Sequence, residues 1–364
     1  MPIEVDQTGG GVAKLQCGYN NGENAFVAAQ RFVDAYMLPQ HHLSDIADYI
    51  QQRVGKEAPT LGGGGAAAPA SNAAPAVATT GIPMISFQNL PMPGYKSFDL
   101  PAKTATVTLE KMKNKIQEFG KLSDAQLAQV STLMETLGAT SRYHASKVSP
   151  AELQVISDML QTFPPAEAFP ALDLARLAVV HPDAASTYNG AIWTKILTQA
   201  FALCEQTEGL EGAAAVAIPM LSLRLFANAF RGGPGSLEVA ASSLDSILAC
   251  TTKFANSANK NVRLSVATVL YNVAFYMHSK TARVDICIQI VTLVNSILGW
   301  RSYETEALTR VLVALGTVAM SCPEAKEAAK SLYVVSKVEM AASPHGDLAK
   351  TVAKEVYNAP SLDD

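Results

Sequence analysis

The chain is poor in the residues that carry most catalysis and metal binding. Its 364 residues include 5 cysteines, 6 histidines and 2 tryptophans, and only 16% are charged. The cysteines, Cys17, Cys204, Cys250, Cys287 and Cys322, lie far apart and form no CxxC pair. That excludes the common zinc and dithiol motifs and fits a reducing, cytoplasmic and nuclear home. Among His41, His42, His144, His181, His278 and His345 there is no HExxH arrangement, and no serine sits in a GxSxG elbow, so neither metalloprotease nor α/β-hydrolase chemistry is indicated. His278 and Cys287 could meet in space, but a helix-terminal histidine and a small buried cysteine account for both without catalysis. A net charge of -4 excludes blanket attraction to nucleic acid or to an anionic membrane. The start "MPIEVDQTGGGVAKL" lacks a basic-then-apolar leader, and the apolar run "GAAAVAIPMLSLRLFANAF" is interrupted by Pro219 and Arg224. The run reads as a buried helix, not a membrane span.

What is present falls into three zones. In residues 1–54, "PIEV" and "VAKLQC" read as short strands around a glycine turn. Two helical patterns follow, with Phe26, Ala29, Phe32 and Val33 at helical spacing in the first and Leu43, Ile46, Ala47 and Ile50 in the second. This is a small α+β module. Residues 55–102, "LGGGGAAAPASNAAPAVATTGIP" and then "FQNLPMPGYKSFDLP", have little periodicity and read as a flexible linker. The glycines at 62–65 lack a following GK[ST], so they do not form a phosphate loop.

Residues 103–360 are helical pattern upon helical pattern, with breakers about every twenty residues such as "KVSPAE", "HPDAAS", "RGGPGS" and "HSKTAR". The spacing predicts helices over 122–137, 152–163, 170–180, 191–205, 213–230, 237–254, 262–278, 284–298 and 304–320. Ser123 and Ser149 stand at capping distance from acidic residues. Many short helices, apolar on more than one side and without a heptad seam, predict an all-α, armadillo-like α-solenoid of about six repeats of forty residues.

The polar residues that stand out are cations and amides inside apolar helices: Arg176 in "FPALDLARLAVVHP", Arg224 and Asn228 in "SLRLFANAF", Lys260, Asn261, Arg263 and Asn272 in "SANKNVRLSVATVLYNVAFYMHSK", and Arg310 in "LTRVLVALGTVAMSCPEAKEAAKSL". Such a cation ordinarily caps a helix or pairs with a nearby carboxylate, and Asp173 is close enough to compete for Arg176. Recurring on successive repeats, however, these residues predict a ladder along a groove. Asparagines would bond the backbone of an extended peptide there, and arginines would fork onto its carboxylates.

These four blocks, and the spacing between them, resemble the PUL domain of the phospholipase A-activating protein (PLAA) family from about residue 98 onward. The first zone resembles the later part of the PFU domain that precedes PUL in the same proteins. The resemblance implies an armadillo-like PUL domain over 103–360 that binds the acidic, tyrosine-bearing C-terminal tail of the valosin-containing-protein AAA ATPase, and a partial PFU module that binds ubiquitin. It implies a non-enzymatic adaptor without a cofactor, acting in ubiquitin homeostasis and ubiquitin-dependent protein degradation. By matching blocks, Arg176, Arg224, Asn228, Lys260, Asn261, Asn272 and Arg310 become the candidate peptide-binding residues. Family members begin with a WD40 propeller, which this sequence does not show, so it reads either as a truncated gene product or as a piece of a longer protein. The alternative is an armadillo-like scaffold for a different acidic peptide. An importin-like carrier of basic peptides would need tryptophan–asparagine ladders, and Trp193 and Trp300 are the only tryptophans.

Overall fold

The computed structural model describes residues 2–7, 11–16, 28–30, 32–33, 46, 49–50, 88–280 and 282–357. The chain divides into two compact units, 1–80 and 81–364.

In the first unit, β1 (Pro2–Gln7) and β2 (Gly11–Gln16) form an antiparallel hairpin with Ile3 opposite Leu15 and Val5 opposite Ala13. Ala28, Ala29, Phe32, Val33, Ile46 and Ile50 are buried. Of the apolar positions read from the helical spacing, Ala29, Phe32, Val33, Ile46 and Ile50 are therefore inside, while Phe26, Leu43 and Ala47 lie outside the described residues.

The second unit is helical from residue 102 onward among the described residues. Its helices are α1 (Ala105–Phe119), α2 (Asp124–Gly138), α3 (Pro150–Thr162), α4 (Phe169–Ala178), α5 (Gly190–Glu205), α6 (Ala214–Gly232), α7 (Pro234–Ser242) and α8 (Leu244–Phe254). There follow α9 (Lys260–Ser279), α10 (Val284–Trp300), α11 (Thr305–Ser321), α12 (Pro323–Ser331), α13 (Val334–Ala342) and α14 (Asp347–Tyr357). Ser123 and Ser149 close full capping boxes with Gln126 and Glu152; for Ser123 the reciprocal partner is thus an amide, not an acid. The helix expected over 237–254 is broken at Ser242–Ser243. The Ser242 hydroxyl turns back onto the Glu238 and Val239 carbonyls, offering the backbone an alternative to continued helix.

Packing sorts the helices into two rows. Helices α3, α5, α8, α10 and α13 succeed one another in an outer row, and α4, α6, α9, α11 and α14 in an inner row, giving the stacked-pair architecture of an armadillo-like solenoid. The inner helices are apolar nearly all round. In α6, Leu223, Leu225, Phe226, Ala227, Ala229 and Phe230 are almost fully buried, and α9 carries the same pattern through Val266, Val269, Leu270 and Val273. Such helices need cover on both sides. Ala214–Gly232, the one described helix long and apolar enough to cross a membrane, is mostly buried.

Tight loop contacts fix the start of α7 against the loop that precedes α5. A Cβ on Gly235 would lie 2.1 Å from the Ser186 carbonyl oxygen, and its N–H donates to Ala185 O at 2.9 Å. The "RGGPG" breaker therefore admits the 184–187 loop against the start of α7.

The second half of the expected linker behaves differently from the expectation. Residues 88–100, without helix or strand and bent at 88–91 and 94, lie along the inner row and belong to the second unit. The chain enters at the last helix, where both Glu355 carboxylate oxygens accept hydrogen bonds from Gln88 N (3.1 Å), Asn89 N (2.9 Å) and Asn89 Nδ2 (2.8 Å). Leu90 then sits directly on Gly316 of α11, where a Cβ would come within 2.5 Å of its methyl carbon. The strap passes α9 and α6 and reaches α4 at Phe98. Its direction is opposite to the order of the repeats. Residues 55–87 lie outside the described residues.

Candidate peptide-binding site

Two asparagines and one arginine hold the strap. Asn272 Oδ1 accepts from Lys96 N at 2.8 Å while its Nδ2 donates to Lys96 O at 2.7 Å and to Ala227 O at 2.8 Å. One helix along, Asn228 repeats the arrangement: Oδ1 accepts from Phe98 N at 2.7 Å, and Nδ2 donates to Phe98 O at 3.1 Å and to Arg176 O at 2.7 Å. Each amide thus reads both backbone groups of every second strap residue and ties the strap to the neighbouring inner helix. Both asparagines are completely buried, where an unpaired amide would be costly. Arg176 answers both readings of its position at once. Its Nε donates to Asp173 Oδ1 at 2.5 Å and its Nη1 to Phe98 O at 2.8 Å. The amide ladder expected for a foreign peptide is therefore filled by the chain's own residues 96–98.

The remaining candidates lie beside this ladder, toward the helix N-termini. Arg224 is one turn before Asn228, with its guanidinium carbon 4.7 Å from the centre of the Phe98 ring. Its Nε is buried and, among the described residues, without a hydrogen-bond partner. Burial first, and then the nearby Arg176 charge, lower the pKa of the Arg224 guanidinium, while Asp173 opposes them. Arg310 donates to Thr268 Oγ1, one turn before Asn272, and to Glu306. Lys260 and Asn261 open α9, are exposed, and line a small cleft with Glu304 and Glu306. Arg263, in contrast, is committed to Glu304 and to Ser257 O, which holds the Glu304 carboxyl below its usual range. The strap adds a cation that sequence reasoning missed: Lys96 Nζ lies 5.8 Å from the centre of the Tyr271 ring.

The structure thus separates the predicted set into two. Arg176, Asn228 and Asn272 form the strap's seat. Arg224, Arg310, Lys260 and Asn261, with Lys96, follow its open edge. Asparagines inside "LFANAF" and "LYNVAF" were visible signals, whereas Glu355 and the strap's own contribution were not. Mid-helix Gly316 was the one local hint that something presses on α11. His278 and Cys287 do not come together: His278 Nδ1 shares a hydrogen bond with Ser321 Oγ at 2.8 Å, and Cys287 lies beside Cys322. Among the described residues no group of His, Cys, Asp and Glu is placed to hold a metal ion.

The PUL domain family model matches residues 100–355. The chain belongs to the PUL-domain family. Residues 2–58 match the PFU (PLAA family ubiquitin binding) model, so the chain carries the PFU and PUL pair of the PLAA family. Phospholipase A-2-activating protein of Xenopus laevis is 26% identical over 241 residues, which cover 64% of this chain and 27% of that protein. This PUL protein therefore spans about a quarter of the length of that curated relative. A solved structure described as a PUL and PFU domain aligns over 98% of this chain and 96% of its own, with a TM-score of 0.50 and 15% identity, which supports the fold. The PFU-PUL domain pair of Saccharomyces cerevisiae Doa1/Ufd3 covers the same shares at a TM-score of 0.47 and 15% identity.

Proposed function

We propose that this PUL protein is a ubiquitin-linked adaptor whose solenoid takes an acidic peptide along the open edge of the strap, the peptide being the C-terminal tail of the valosin-containing-protein AAA ATPase. The observation that carries the reading is Arg224: a guanidinium whose Nε is buried and, among the described residues, unpartnered, with further cations at Lys96 on the strap and at Lys260 and Arg310 on the next inner helices. A carboxylate forking onto the accessible part of this half-buried guanidinium would give it the charged acceptor it lacks. Because Asn228 and Asn272 are filled, the peptide docks beside the strap and not upon the asparagines. The PFU match over residues 2–58 supports ubiquitin as the ligand of the first unit. The reading needs no catalysis, and it places the chain in the cytoplasm and nucleus, in ubiquitin recycling and degradation.

The test is titration of the chain with the ATPase tail peptide, with Arg224→Ala and Arg310→Ala in parallel. The expected result is micromolar-range binding that weakens with salt, as for short charged peptides, and that Arg224→Ala reduces by at least about tenfold. Undiminished binding by both variants removes the edge as the site. Preference for an unrelated acidic peptide would support the second reading, a scaffold for a different partner. Binding of ubiquitin to the PFU unit is checked independently by titrating labelled ubiquitin.

A further inference from the structure

A second cavity, away from the strap, combines apolar walls with an uncommitted cation. It has a volume of about 390 Å³ and lies between the C-terminal end of α10, the loop leading to α11, and the turn between α13 and α14. Ile297, Leu298, Leu308 and Ala341 form its floor, and Arg301, Met340 and His345 stand at its rim. No carboxylate of the described residues lines it. The volume lies in the range of small-molecule pockets, which are mainly apolar with a few placed polar groups.

Arg301 carries the argument. It follows the last residue of α10 with φ 53° and ψ 29°, the left-handed cap position for which glycine is the unstrained choice. The chain has a glycine two residues earlier, at Gly299, but puts an arginine at the strained position. A retained outlier of this kind points to a use for the side chain. That side chain turns over the cavity, where among the described residues its Nη2 contacts Met340 Sδ. A thioether is a weak acceptor, and among the described residues Arg301 forms no ion pair. Across the rim, His345 shares Nδ1 with Thr305 Oγ1 at 3.0 Å.

We propose that this cavity binds a carboxylate carried on a short apolar group, with the Arg301 guanidinium forking onto the carboxylate and the apolar part resting on Ile297, Leu298 and Leu308. Two sources share that chemistry, a short fatty acid and the C-terminal residue of a peptide ending in an aliphatic side chain. The site is separate from the strap edge, since none of Arg176, Arg224, Lys260 or Arg310 lines it. Its failure would leave the adaptor reading untouched.

The experiment is calorimetric titration of the whole chain with hexanoate, and with N-acetyl-Ala-Leu as the free acid and as the amide. Binding by hexanoate alone would assign the site to a fatty acid, and binding by the peptide acid, with the amide weaker by at least about tenfold, would assign it to a peptide C-terminus. Arg301→Gln is expected to remove the same factor for whichever acid binds. Arg301→Gly is expected to lose binding equally while unfolding at the same or a higher temperature, because glycine fits the left-handed backbone. Equal binding of acid and amide without hexanoate binding, full affinity in Arg301→Gln, a lower unfolding temperature in Arg301→Gly, or no binding of any probe at millimolar concentration would each overturn the proposal.

Discussion

Asn228 and Arg224 lie one turn apart on the same inner helix, and their surroundings differ in kind. The asparagine level is closed: every amide atom of Asn228 and Asn272 has a partner, supplied by residues 96–98 and the neighbouring helices. The arginine level is open, with a buried Nε on Arg224 that has no hydrogen-bond partner among the described residues. A neutral amide can be fully paired by a strap's backbone, since one N–H and one C=O complement it. A guanidinium has five donors and a charge, and the strap's edge brings it only the face of Phe98. The same groove is therefore structure at one level and, in the function proposed above, a receptor at the next.

The comparison breaks most sharply at the closed level. Asn228→Leu would leave the Phe98 N–H and C=O without this partner, and should cost about 2–4 kcal/mol in urea unfolding; a loss below about 1 kcal/mol would mean the strap does not depend on the ladder. Glu355→Ala removes the acceptor for three strap donors. It is expected to cost about 1–3 kcal/mol and to make the chain near Gln88 newly sensitive to limited proteolysis.

A smaller effect comes from His181, buried in the first repeats with Nε2 on Ser146 Oγ at 2.9 Å and Ala184 N donating to Nδ1. Burial lowers its pKa from 6.5, against the opposing charges of Asp183 and Glu152. The unfolded chain then binds the proton more readily than the fold, so this contribution is complete above pH 6.5 and falls as the pH drops below it. Thermal unfolding between pH 8 and 5 should show the decline, with a flatter profile in His181→Gln. The smallest effect on stability is expected at the open level. Arg224→Met should change unfolding by no more than about 0.5 kcal/mol while abolishing salt-sensitive binding of the acidic peptide. A large loss of stability there would make Arg224 a structural residue like Arg176.

Much of the solenoid was legible because its signals are local. Capping serines, breakers and the 3.6-residue spacing located most helices to within a few residues, and polar residues inside apolar helices marked the inner row. Those signals could not say what the polar residues meet. Arg176 has Asp173 three residues away, and only the fold reveals that Phe98, 78 positions earlier, competes for the same guanidinium. The segment "QNLPMPGYKSFDL" reads as linker because a segment without helix or strand, bonded on one side by side chains, needs neither periodicity nor a sheet partner. Its partners are Glu355, Gly316, Asn272 and Asn228, all far away in the chain.

By itself, then, the sequence determined an all-helical second unit, a small α+β first unit, and a set of cations and amides on successive inner helices. Helix propensity, capping and amphipathic spacing act over a few residues, and each is written where it acts. The tertiary structure alone decided that the amides hold the chain's own strap while Arg224 is left open. That division depends on which distant backbone groups arrive at each buried donor and acceptor. A residue's type shows that it needs a partner; only the packed chain shows whether one is already there.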